Sequence, residues 1–121
     1  MKAEVVSMTA ENLDMEAIRR GGEILKQGGL VAFPTETVYG LGGDALNPQA
    51  SMKIYAAKGR PSDNPLIVHI AEFDKLAPIV AKVPEKAKIL AKKYWPGPLT
   101  MILPKSDLVP RETTGGLDSV A

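Results

Sequence analysis

The sequence predicts an α/β domain, on three observations. Leu30-Val31-Ala32-Phe33 is a short apolar run suited to a buried strand. Leu66-Ile67-Val68-His69-Ile70 is almost unbroken in apolar character, as in a strand covered on both faces. Between them, Asn47-Pro48 opens and Lys58-Gly59-Arg60-Pro61 closes a helical pattern with Ala50, Ile54 and Ala57 on one face. Strand, helix, strand reads as a crossover unit. The 121 residues suit one domain, 1–121, with a modest core.

The flanking elements follow in order. Glu4-Val5-Val6-Ser7-Met8 has the β-branched, apolar character of a first, edge strand. Asp14 caps a helix that carries Met15, Ile18, Gly22 and Leu25 at intervals of three and four, and Gly28-Gly29 closes it. Glycine within a helix costs about 1 kcal/mol relative to alanine, so the pair Gly21-Gly22 points to close packing against a sheet. Phe73 to Val80 is a short helix that Pro78 limits to a turn or two. From Pro84, residues Ala87, Leu90, Ala91 and Tyr94 fall within an arc of about 100°, a buried stripe, while lysines 86, 88, 92 and 93 spread over a solvated face. Trp95-Pro96-Gly97-Pro98 is a stiff turn before the strand Leu99-Thr100-Met101-Ile102-Leu103. Residues 105–118 read as loop with Thr113-Thr114-Gly115-Gly116 at its centre, and Ser119-Val120-Ala121 as the first residues of a further strand. No closing element follows, so a missing C-terminal part is expected.

Composition narrows the chemistry. Fifteen basic against fourteen acidic residues leave a net charge of +1, so no bulk field attracts nucleic acid or an anionic membrane. There is no cysteine, which removes disulfides, thiolate nucleophiles and cysteine-based metal sites and is compatible with the cytoplasm. Neither a signal-peptide core nor a membrane-length apolar run is present, so a soluble protein is expected. A G-x-S-x-G elbow and a His-Glu-x-x-His zinc motif are also lacking. Gly40-Leu41-Gly42-Gly43-Asp44-Ala45 mimics a dinucleotide fingerprint, but the next helix starts only near Pro48 and Asp63 lies in a turn before a strand.

Two segments carry most of the side-chain chemistry. Pro34-Thr35-Glu36-Thr37-Val38-Tyr39-Gly40-Leu41-Gly42-Gly43 reads as a strand running into a pocket, rich in hydrogen-bonding groups, or as a polar loop between strand and helix. In Lys58-Gly59-Arg60, a point charge and a planar fork flank a flexible residue and can converge on one polyphosphate, or simply solvate a helix end. His69, the single histidine, is either a hydrogen-bonded core residue or a ligand contact.

Pro34-Thr35-Glu36-Thr37-Val38-Tyr39-Gly40-Leu41, Lys58-Gly59-Arg60-Pro61, Asn64-Pro65-Leu66 and Trp95-Pro96-Gly97-Pro98-Leu99-Thr100 together resemble the YrdC-like threonylcarbamoyl-AMP synthase family. The resemblance runs from about Asp14 to Ala121 and covers the N-terminal part of the family's domain; its later arginine-proline strand and Ser-x-Asn element have no counterpart. It implies a twisted, mixed sheet with flanking helices and a concave ligand surface. It also implies condensation of L-threonine, bicarbonate and ATP, with Mg2+ on the nucleotide, to threonylcarbamoyl-AMP and pyrophosphate. Downstream threonylcarbamoyl-transfer proteins would then modify tRNA. On this resemblance Lys58 and Arg60 would bind the ATP phosphates, with Asn64 and Tyr39 near the nucleotide and Thr35 and His69 on threonine. Thr37 and Thr100 would be pocket walls or ordinary strand residues. The isolated chain, its nucleotide site left open, would be weakly active or inactive. Two other activities go with YrdC-like domains: double-stranded RNA or tRNA binding, and carbamoyl-adenylate formation in hydrogenase maturation.

Overall fold

The computed structural model describes residues 2–121. Helix α1 (Met15–Lys26) starts where predicted, with the Asp14 carboxylate accepting the Ala17 amide at 3.0 Å. Strand β1 (Val31–Phe33) then pairs antiparallel with β2 (Gly40–Gly42), Val31 opposite Gly42 and Phe33 opposite Gly40. Helix α2 (Pro48–Lys58) is capped by Asn47, whose Oδ1 accepts the Gln49 and Ala50 amides, and is closed by Gly59 at φ 61°. Two 3-10 turns, Phe73–Lys75 and Ala77–Ile79, stand where a short helix is predicted, Pro78 lying in the second. Helix α3 (Glu85–Tyr94) and a cis Trp95–Pro96 bond lead to β3 (Leu103–Pro104), the one-turn helix α4 (Arg111–Thr114) and β4 (Ser119–Val120). Strands β3 and β4 pair antiparallel.

The parallel crossover is therefore absent among the described residues; two small two-stranded antiparallel sheets take its place. Gly40 and Gly42 explain the first. A Cβ on Gly42 would lie 2.8 Å from the Phe33 ring and one on Gly40 3.0 Å from it, so the ring lies across the glycine backbone of its partner strand. Gly21 likewise faces β1, where its Cβ would touch the Val31 side chain at 3.9 Å, whereas Gly22 faces open space.

Residues 66–70 join no ladder with β1. Their amides bond elsewhere: Leu66 N–H to the Thr113 carbonyl at 3.0 Å and Val68 N–H to that of Ala121 at 2.8 Å. Only one face is covered, with Val68 and Ile70 half-buried and Ile67 and His69 exposed, which corrects the expectation of a strand buried on both faces. Residues 4–8 join no ladder among the described residues; Val5 is 86% exposed, and Glu4 pairs with Arg20 of α1. Of the strand expected over 99–103, only Leu103 enters a ladder.

The core centres on Leu76, Val80, Val109 and Val120, with Trp95, Val68 and Leu103 packed against it. On α3 only Ala87 and Ala91 are buried; Leu90 and Tyr94, predicted in the same stripe, are exposed. On α2 the buried face holds Ala50, Ser51, Ile54 and Tyr55, with Ala57 exposed. Its neighbour is α4, inside the segment read as loop: Thr113 and Thr114 are each 1% exposed. No helix among the described residues is long and apolar enough to cross a membrane.

Asn47→Ala removes the acceptor for two otherwise unpaired amides and should lower the stability of the chain by about 1 kcal/mol in urea unfolding, with Asn47→Asp near the parent value.

Candidate functional site

A cleft of about 560 Å³ opens between residues 67–73 and the turn 95–101. Its floor is apolar, formed by Leu76, Val80 and Val120 of the core, and its rim carries the polar groups of Glu36, His69 and Thr100. His69 is no core histidine. Its ring stands edge-on to Phe33, with centroids 6.2 Å apart and planes at 75°, and its Nδ1 lies 3.4 Å from the Ile67 carbonyl. Phe33 thereby joins the cleft wall to the root of the 34–39 loop. Trp95 Nε1–H donates to the Leu99 carbonyl at 2.9 Å and so stiffens the opposite turn.

The loop after Phe33 is folded around one hydroxyl. Thr35 Oγ1 donates to the Val38 carbonyl and accepts the Thr37 amide at 3.1 Å, a local turn that leaves outer side chains free. Tyr39 is 78% exposed, and within residues 34–43 the cleft is lined by Glu36. Neither Thr35 nor Tyr39 reaches the lining.

A second group forms where α2 ends. Gly59 adopts the left-handed conformation that terminates the helix, leaving Lys58 exposed and turning Arg60 inward. The Arg60 Nη2–H donates to the Pro65 carbonyl at 3.5 Å, while its buried Nε has no partner. Asn64 closes the intervening turn through its amide, 3.2 Å from the Pro61 carbonyl, and its side chain is exposed. Arg60 and Asn64 thus share one turn, with Lys58 at its start; residues 65–69 connect this turn to the His69 wall.

Tyr55, 3% exposed, lies beneath this turn with its hydroxyl unpartnered. Burial pushes its pKa above the ordinary value of 10.0; Arg60 opposes the rise and Asp63 adds to it. Two other lysines are engaged locally: Lys53 Nζ with the Gly28 carbonyl at 2.9 Å, and Lys88 with Glu85 at 3.7 Å.

Sequence reasoning missed the contribution of α4. Gly115, at φ 63°, lies against the Asp63–Pro65 backbone, where an added Cβ would sit 2.8 Å from the Asp63 carbonyl oxygen. The available signal was Thr113-Thr114 before two glycines, both of which adopt positive φ.

Because burial favours the neutral Tyr55 phenol, the stability it supports is complete below pH about 10 and is lost as pH rises further, through the raised folded-state pKa. Tyr55→Phe should change stability at pH 7 by less than about 1 kcal/mol, since the lost hydroxyl has no partner, and should flatten the loss above pH 10 in pH-dependent denaturation.

Residues 23–121 match the Sua5/YciO/YrdC family model, described as telomere recombination. The threonylcarbamoyl-AMP synthase of Pyrococcus abyssi is 53% identical over 117 residues, 97% of this chain and 34% of the relative. That of Bacillus subtilis is 55% identical over 105 residues, 86% of this chain and 30% of the relative. The crystal structure of P. abyssi Sua5 complexed with L-threonine superposes with a TM-score of 0.86 at 55% identity, over 90% of this chain and 32% of that one. The chain thus spans about a third of the length of these relatives.

Proposed function

The chain belongs to the Sua5/YciO/YrdC family, and from that premise we propose that it forms the threonine- and nucleotide-binding part of an L-threonylcarbamoyladenylate synthase acting in the cytoplasm. The observation that carries this reading is the cleft walled by His69 and floored by the apolar core, in a chain that superposes on a relative complexed with L-threonine.

The reaction needs no protein nucleophile. The threonine amine takes up the carbon of bicarbonate with loss of water, giving a carbamate. A carbamate oxygen then bonds to the α-phosphorus of ATP while the bond to the pyrophosphate oxygen breaks and its electron pair leaves with pyrophosphate. Both partners are anionic, so the protein holds them in line and offsets their charge. Lys58 and Arg60 supply that charge, the exposed ammonium as a mobile point contact and the guanidinium from a turn that fixes its orientation. On the same reading Asn64 and the exposed Tyr39 serve the nucleotide, and His69 and Thr35 serve threonine; of these, His69 lines the cleft.

The donor set does not fit a resident metal ion, because no group of three or more His, Asp or Glu side chains converges among the described residues. Magnesium would arrive with the substrate, carried on the ATP phosphates. The product passes to downstream transfer proteins that act on tRNA.

In a version spanning the relatives' full length, Lys58→Ala or Arg60→Ala should reduce threonine- and bicarbonate-dependent pyrophosphate release at least about a hundredfold. Undiminished release in both would refute the assignment. His69→Ala should weaken L-threonine binding about tenfold in calorimetry while leaving nucleotide affinity near the parent value.

A further inference from the structure

The hydroxyl of Thr113 is buried among three elements. It donates to the Ala45 carbonyl at 2.6 Å, and its oxygen lies 2.8 Å from Ser51 Oγ. A threonine hydroxyl has one proton, and Ala45 takes it; the Ser51 hydroxyl must therefore be the donor to Thr113. A directed chain results, from α2 through α4 to the loop before α2. The same residue's carbonyl accepts the Leu66 amide at 3.0 Å, and two residues later Gly115 rests on the Asp63–Pro65 backbone so closely that any side chain would collide.

The turn carrying Arg60 and Asn64 is thus held from outside by the α4 segment; within it, the Arg60 amide bonds to the Tyr55 carbonyl at 3.0 Å and the Asn64 amide to that of Pro61 at 3.2 Å, and the Arg60 guanidinium makes only the long 3.5 Å contact to the Pro65 carbonyl. Helix α2, which ends in Lys58, and the turn bearing Arg60 meet the same four-residue element. Neither Thr113 nor Gly115 lines the cleft, so neither touches a ligand there.

We propose that Thr113 is a positioning residue that sets the Arg60–Asn64 turn relative to the end of α2, and thereby the spacing of the cations offered to the nucleotide phosphates. The consequence for ATP rests on the synthase reading above; the positioning of the turn does not. Thr113→Val keeps size and shape but leaves the Ser51 hydroxyl and the Ala45 carbonyl unsatisfied, whereas Thr113→Ser keeps both hydrogen bonds.

Amide hydrogen exchange on the 121-residue chain reads the turn without any ligand. Thr113→Val should speed exchange at Leu66 and Asn64 about tenfold while α1 amides stay near their parent rates, and Thr113→Ser should restore protection. If Thr113→Val does not fold, Ser51→Ala, which removes only the donor to Thr113, should give the same local pattern. Unchanged exchange at both amides, or equal acceleration across the whole chain, would overturn the proposal.

The second readout is binding by a full-length version. Thr113→Val should weaken affinity for a non-hydrolysable ATP analogue about tenfold while L-threonine affinity stays within about twofold. Equal weakening of both, or of neither, would overturn the link to the nucleotide. If Lys58→Ala and Arg60→Ala leave nucleotide affinity intact while Thr113→Val still loosens Leu66, the synthase assignment fails and the positioning of the turn stands.

Discussion

The arrangement depends on how an extended segment, residues 64–70, satisfies its backbone without a central sheet. An unpaired buried amide costs as much as a lost hydrogen bond, so each must find a partner. Here the partners are scattered: the Thr113 carbonyl for Leu66 and the Ala121 carbonyl for Val68. The segment is fixed at two points by elements far along the chain. Val68 and Ile70 pack on the core as well as bordering the cleft, whereas the alternate positions, Ile67 and His69, border it as exposed side chains. The period of two thus sets which of these side chains also serve the core.

That constraint also separates two chemical environments along one short path. At its start lie Arg60 and Asn64 with two unpartnered buried polar atoms, Tyr55 Oη and Arg60 Nε. At its end lies an imidazole at the rim of a mostly apolar hollow. On the proposed synthase reading, two anions that must react with each other call for cationic groups on one side and an orienting wall on the other. Residues 64–70, fixed through the Leu66 and Val68 amides, connect the two environments.

The three longer helices and the strand runs at 30–33 and 119–121 were legible in the sequence; the strand pairing and helix α4 were not. Caps are local chemistry: Asp14, Asn47 and Gly59 mark ends that the structure keeps to the residue, because each supplies an acceptor or a left-handed φ where the helix needs it. Apolar runs such as 66–70 and 99–103 specify extended chain, but the partner strand is a non-local choice; β1 pairs with β2 in a hairpin, the Phe33 ring lying against Gly40 and Gly42. In the site, the local arrangement of Arg60, Asn64 and Pro65 followed from adjacency in sequence. The exposure of Tyr39 and the turn that Thr35 makes for itself did not, since both depend on where the loop goes after Pro34. Helix α4 left only the faint trace of two threonines before two glycines. Its meaning appears when Gly115 meets the backbone of Asp63.

The Ser51–Thr113 and Thr113–Ala45 hydrogen bonds span 62 and 68 positions along the chain. Closing loops of that length is entropically unfavourable, so these contacts form only once much of the intervening structure exists. During synthesis from the N-terminus, α2 leaves the ribosome well before the threonine that anchors it. The turn at Arg60 therefore has only its local hydrogen bonds until the later chain emerges to complete its hold.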